Sequence, residues 1–168
     1  MSSLSYPHPL SYFSPSIEQK IVRARSYKTL ADIAITVLFA MPRDVTMVCG
    51  PITSGGLGML ALNLDRFCFA IDLLAASGEN VFTQLPFERS VRAIREFKHY
   101  NVKNDRLLQK FYLPIFRSGF VTRLCFLPLW KTSYGATWEH ERAIELGIGR
   151  AYFIQGFESF PSGTKIFD

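Results

Sequence analysis

The segment 45–82 constrains the fold most, because its pattern predicts a strand, a glycine-rich turn, a helix and a second strand. Residues 45–49 form a short β-prone run between proline- and glycine-bearing turns, which indicates a buried strand. Four glycines lie within 50–58, and apolar residues then recur at helical spacing: Leu60, Leu64, Phe67, Ile71 and Leu74. Val81 and Phe82 begin the next strand. A strand, a crossover helix and another strand predict a parallel sheet.

The second half of the chain extends this pattern. Apolar runs at 124–127 and 151–154 predict two more strands, and residues 136–146 between them predict a helix that ends at Gly147. Strands that alternate with helices indicate an α/β protein. We therefore expect a doubly wound (flavodoxin-like) parallel sheet of four to five strands.

The remaining segments predict additions to this sheet. Residues 1–15 contain three prolines and five serines and predict a flexible arm. Helical spacing over 16–40 predicts an extra N-terminal helix, and 16–168 is expected to be a single α/β domain. Residues 87–118 predict one or two helices, with a break before Asn104, which can cap the second.

Composition narrows the class of protein. The net charge is +5, but the lysines and arginines are spread along the chain, so a nucleic-acid partner is not expected. The three cysteines form no CxxC pair, and the longest apolar run has about nine residues, short of the roughly 20 that a membrane span needs. We expect a cytoplasmic protein without a membrane segment, a metal or a cofactor.

Two turns carry the candidate chemistry, since ligands of parallel sheets bind beyond the carboxyl ends of the strands. The glycines in 50–58 allow close approach of a ligand to the backbone, and the helix start that follows favours an anion. In the second turn Ser133 is either a helix cap or a ligand contact. Glu139 is either an acid that complements the helix dipole or a catalytic carboxylate. Glu88, just after the second strand, is a further candidate, or an acid at a helix start.

Residues along both halves of the chain resemble a known family. They are Gly50-Pro51-Ile52, Asn63, Phe67, Ala70, Leu74, Gly78, Val81-Phe82, Trp130, Ser133, Gly135-Ala136, Glu139, Ala143 and Gly147. In order and spacing they resemble the nucleoside 2-deoxyribosyltransferase-like superfamily, over roughly residues 45–155. The resemblance implies a doubly wound sheet, a homodimer, and transfer or hydrolysis at the base–sugar bond of a nucleoside or nucleotide.

The resemblance also implies roles for single residues. Glu139 matches the family's nucleophilic glutamate, which attacks the anomeric carbon of the sugar. Ser133 matches a serine that binds the 5′-phosphate. The first turn matches the one that lines the nucleotide pocket, through Gly50, Ile52, Ser54 and Gly55. Beside Glu139 and Ser133, the second turn offers further candidate substrate contacts: Gly135, Tyr134 and Trp130.

One departure from the family keeps an alternative open. Relatives usually carry an aspartate at the start of the third strand, where this chain has Val121, Thr122 and Arg123. The sequence therefore predicts an N-glycosidase or deoxyribosyltransferase, with a catalytically inactive nucleotide-binding module as the alternative. A structural or nucleic-acid partner protein ranks last.

Overall fold

The computed structural model describes residues 6–53, 55–101, 106–160 and 164–168. Four strands form one sheet in the order β2-β1-β3-β4, and every neighbouring pair is parallel. They are β1 (Val45–Cys49), β2 (Val81–Phe82), β3 (Val121–Phe126) and β4 (Gly149–Tyr152). The sequence-based prediction of a parallel α/β sheet with four strands is confirmed.

Six α-helices flank the sheet within the described ranges. They are α1 (Pro15–Arg23), α2 (Tyr27–Ala40), α3 (Leu60–Ala76), α4 (Glu88–Phe97), α5 (Leu113–Arg117) and α6 (Tyr134–Leu146). A π-helical segment, Leu108–Tyr112, runs directly into α5. None of the helices described is both long and apolar enough to cross a membrane.

The connections make the sheet doubly wound. The chain passes from β1 through α3 to β2 on one side, and then returns past β1 to form β3 on the other side. Side chains alternate accordingly: Met47 and Cys49 pack on the face that carries α4 and α6, whereas Val48 packs with Phe67 of α3. The winding direction changes between β1 and β3, which places the expected ligand site at their carboxyl ends.

The N-terminal helix predicted over 16–40 is divided into two helices. Ala24 has an extended backbone at the end of α1. Ser26 is also extended, and its hydroxyl accepts a hydrogen bond from Thr29 N at 3.1 Å, so it caps a new helix, α2. Apolar spacing continues across this break, which is why periodicity alone predicts one helix.

The segment predicted as a flexible arm contains packed structure. A short 3-10 helix, Pro9–Tyr12, precedes α1, and Phe13 is buried against Phe82 and Phe87 at ring-centroid distances of 6.3 and 5.8 Å. Residues 1–5 lie outside the described residues. The buried aromatic side chain of Phe13 is therefore the anchor of this segment.

The other boundaries differ by a few residues. Strand β3 begins at Val121 rather than 124, because the polar Thr122, which is exposed, and Arg123, which is half-buried, also form strand backbone. Strand β4 covers 149–152 rather than 151–154. The predicted cap Asn104 lies outside the described residues.

Candidate functional site

A cavity of about 450 Å³ opens at the carboxyl ends of β1 and β3. Among the described residues, its lining comes from the turn after β1, from the end of β2 and α4, from the π-helical segment and from the start of α6. Of the candidate residues, the structure brings together Gly50, Ile52, Glu88, Ser133, Tyr134, Gly135 and Glu139. Both predicted turns therefore contribute residues to one cavity.

Glu139 lies in the second turn of α6 with its carboxyl at the cavity. The residue is only 5% exposed. Burial raises its pKa to about 8; a hydrogen bond from the Cys49 thiol opposes this shift, and the negative charge of Glu88 adds to it. At neutral pH Glu139 therefore holds a proton, an unusual state for a glutamate and one that is typical of functional sites.

Glu88 supplies a second carboxyl to the same cavity. It is the first residue of α4, so the helix start that the sequence suggested is present, and its side chain also lines the cavity. Burial raises its pKa, while the positive charges of Arg92 and Arg95 lower it. Two carboxyls with raised pKa values in one cavity form the kind of pair that exchanges protons with a bound substrate.

Ser133 serves as the helix cap and also lines the cavity. Its Oγ accepts a hydrogen bond from Ala136 N at 3.3 Å, which begins α6. A serine hydroxyl that accepts in this way still has its proton to donate to a ligand oxygen. Gly135 lines the cavity beside it, and Tyr134, 78% exposed, stands at the rim.

Gly55 and Trp130 lie away from the cavity and have structural contacts instead. Gly55 has a φ of 72°, and a Cβ there would come within 2.6 Å of Thr132 O. Trp130 stacks on His140 at a centroid distance of 4.4 Å and an interplanar angle of 20°. The fourth predicted contact of the first turn, Ser54, lies outside the described residues.

Asn63 of α3 organises the first turn. Its side-chain amide donates to Ile52 O and Gly55 O, both at 3.2 Å, and its Oδ1 accepts from Leu57 N at 2.9 Å. The side chain is buried, so all three bonds are shielded from water. The glycine-rich turn is thus held in a defined shape rather than left as a loose loop.

The structure adds residues to the cavity that the sequence-based prediction did not include. Gln84 follows β2, Arg95 lies in α4, and Tyr112 ends the π-helical segment. Tyr112 is buried, and its pKa is raised well above the usual value by burial and by the charges of Glu88 and Glu139. The available signal for Gln84 was a polar residue two positions after a buried strand. No sequence signal indicated that Tyr112 faces the cavity.

The start of β3, residues 121–123, lies at the amino ends of the strands, opposite to the cavity. Val121 pairs with Val45 at the beginning of β1, whereas the cavity begins beyond the end of β1 at Gly50. Arg123 forms an ion pair with Glu79 at 2.6 Å. The second acid of this cavity is therefore Glu88, from α4, and not a residue of the third strand.

Comparison with known protein families, curated proteins and solved structures found no match to this chain. Within the described part of the chain, no three His, Cys, Asp or Glu side chains lie close enough together to hold a metal ion. What the cavity offers a ligand is therefore its carboxyl pair, its hydroxyls and the start of α6.

Proposed function

We propose that the chain cleaves the base–sugar bond of a nucleoside or nucleotide, with Glu139 as the nucleophile. The observation that carries this proposal is the pair of carboxyls, Glu139 and Glu88, in one cavity at the switch point of the sheet. The resemblance to the nucleoside 2-deoxyribosyltransferase-like superfamily assigns the nucleophile to Glu139. The homodimer that the family suggests is part of the same proposal.

The proposed chemistry needs one ionised and one protonated carboxyl. An ionised Glu139 oxygen bonds to the anomeric carbon, and the carbon–nitrogen bond breaks with its electron pair passing to the base. Glu88 gives its proton to that nitrogen. Water, or a second base in a transferase, then attacks the anomeric carbon, gives a proton to Glu88 and releases the Glu139 carboxylate.

The electrostatics of the pair favour a proton on Glu139 at neutral pH. Burial and the negative charge of Glu88 both raise the cost of ionising Glu139, so its proton leaves only near pH 8. Because burial favours a protonated Glu139, the proton has to move from it as positive charge develops on the sugar. An adjacent oxocarbenium-like centre stabilises the ionised form of Glu139 and so drives this shift.

The anion of a nucleotide substrate would face the start of α6. The Ser133 hydroxyl and the first N–H groups of α6 border the same cavity, which Arg95 also lines. Helix starts and arginine side chains are common phosphate-binding elements. This arrangement supports a monophosphate over an uncharged nucleoside as the preferred ligand.

Base release is the direct test of this proposal. We expect free base when the chain is incubated with ribo- and deoxyribonucleosides and their 5′-monophosphates, detected by chromatography. Glu139→Gln is expected to lower the rate at least about a hundredfold, because the nucleophile is removed. Glu141→Gln, on an exposed residue of the same helix, is the matched control and should retain full activity.

The alternative function is a nucleotide-binding module without turnover. The protonated state of Glu139 at neutral pH favours it, since a protonated carboxyl is a poor nucleophile. Tight binding of a monophosphate by calorimetry, with no base released from any member of the panel, would establish this alternative. A chain that neither binds nor cleaves any member would contradict both functions.

The pH dependence of the rate tests whether the pair reacts with one proton. Because the mechanism needs one ionised and one protonated carboxyl, kcat/KM for deoxyadenosine is expected to fall about tenfold per pH unit above pH 8, as the last proton leaves, and to fall also at acidic pH, where both carboxyls are protonated. A nucleoside avoids the titration of a phosphate group in this range. A rate that instead keeps rising through pH 8 would show that the reaction needs no proton on the pair, which would contradict Glu88 as the proton donor.

A further inference from the structure

Gln84 presents an unusual combination at the floor of the cavity. The residue is 2% exposed, and its side-chain nitrogen donates to Val48 O in β1 at 3.0 Å. Its Oε1 is buried and has no hydrogen-bond partner among the described residues. Buried amide oxygens without a partner are rare, because each forfeits the hydrogen bonds that water would supply.

The orientation of the Gln84 amide follows from its neighbour. Val48 O is a carbonyl oxygen and can only accept, so the atom that faces it must be the nitrogen. The oxygen is therefore the end left for another partner. An amide oxygen only accepts, so that partner must bring an O–H or N–H group.

The surroundings of Gln84 narrow the class of donor. Val48 and Cys49 are consecutive in β1: the first accepts from Gln84, and the second donates to Glu139. Gln84 and Glu139, the carboxyl that we assign to the anomeric carbon, are thus held by consecutive residues of β1 and line the same cavity. The part of a nucleotide that surrounds this carbon is the sugar, whose donors are hydroxyl groups.

We propose that Gln84 Oε1 accepts a hydrogen bond from a hydroxyl of the substrate's sugar and thereby selects among ribo- and deoxyribonucleotides. This inference rests on the proposed function for the kind of ligand, but not on turnover. It makes Gln84 a specificity-determining residue. A substrate without the hydroxyl leaves the buried oxygen unpartnered, and the missing bond lowers its affinity.

The test compares ligands and variants together. Dissociation constants are measured by calorimetry for adenosine 5′-monophosphate and its 2′-deoxy, 3′-deoxy and 2′,3′-dideoxy analogues, all in a Glu139→Gln background that consumes no ligand. With Gln84 present, loss of one of the two hydroxyls, in the 2′-deoxy or the 3′-deoxy analogue, is expected to weaken binding about tenfold. In Gln84→Met, which has similar volume and no amide, that difference should disappear.

Two controls keep the result interpretable. Gln84→Glu in its protonated form retains a donor for Val48 O and an acceptor for the hydroxyl, so it should retain the discrimination. Gln19→Met, on an exposed residue of α1, should leave every ratio unchanged. If Gln84→Met does not fold, the analogue series is measured on the chain with Gln84 and on Gln84→Glu. The inference requires both of these chains to discriminate among the sugars.

Other outcomes overturn the inference. Equal affinity for all four sugars, or an equal loss for all four in Gln84→Met, would show that Oε1 has no sugar partner. Inosine 5′-monophosphate replaces the amino donor of adenine by an acceptor. If Gln84→Met instead cancels a difference between the adenine and hypoxanthine nucleotides, Gln84 contacts the base. Discrimination without base release in the parent chain would support the inference while contradicting the enzymatic function.

Discussion

Replacing Glu139 with glutamine is expected to raise the free energy of unfolding by about 3 kcal/mol at pH 7. In the folded chain the pKa of Glu139 is about 8, whereas its ordinary value is 4.5. The folded state thus keeps a proton that the unfolded state releases. The contribution of this proton to the free energy of unfolding is fully present below pH 4.5 and is lost as the pH rises through 8. Glutamine is neutral at every pH and avoids this loss.

Urea denaturation of both chains between pH 4 and pH 9 measures this effect. The difference in unfolding free energy should be small at pH 4 and should grow with pH until it levels off above 8. Glu141→Gln, on the exposed side of α6, is expected to change stability by less than about 0.5 kcal/mol. A difference that does not depend on pH would contradict the raised pKa of Glu139.

Replacing Asn63 with aspartate is expected to lower the free energy of unfolding by about 3 kcal/mol, because two buried donors are lost. The amide of Asn63 donates to Ile52 O and Gly55 O at 3.2 Å. A carboxylate cannot donate and places its charge against both carbonyl oxygens. The turn that it supports also lines the cavity, so we expect nucleotide binding to weaken in parallel.

Thermal or urea denaturation, together with calorimetric titration of a nucleoside monophosphate, measures both consequences. Asp65→Asn, two residues along α3 and exposed, is the matched control and should be neutral in both assays. Parental stability in Asn63→Asp would show that the glycine-rich turn keeps its shape without these bonds. Weakened binding with parental stability would assign Asn63 a role at the site alone.

Local sequence patterns predict the strands and helices whose ends are marked by proline or glycine. The sequence predicts β1 with its observed bounds, because Pro42 and Gly50 enclose a short β-prone run. It predicts α3 to within one residue from the apolar stripe and Gly78. The grouping of Ser133 and Glu139 with Gly50 follows from topology, since the carboxyl ends of parallel strands meet at one edge.

Tertiary contacts determine which side chains face the cavity, and local sequence patterns do not predict these contacts. Whether Glu88 faces the cavity or solvent depends on the rotation of α4, which its own strongly polar sequence leaves open. Tyr112 lies in a π-helical segment, and a wider helical turn shifts the side-chain positions that normal helical spacing predicts. Gly55 and Trp130 sit near the motifs but contact Thr132 and His140 instead of the cavity.

The two turns of the site are joined to each other. Gly56 N donates to Thr132 Oγ1 at 2.7 Å, although the residues are 76 positions apart, and Thr132 Oγ1 in turn donates to Leu129 O at 2.7 Å. This hydrogen bond therefore ties the wall after β1 to the wall before α6. A ligand that spans them meets a preorganised surface, so little of its binding free energy is spent on ordering the chain.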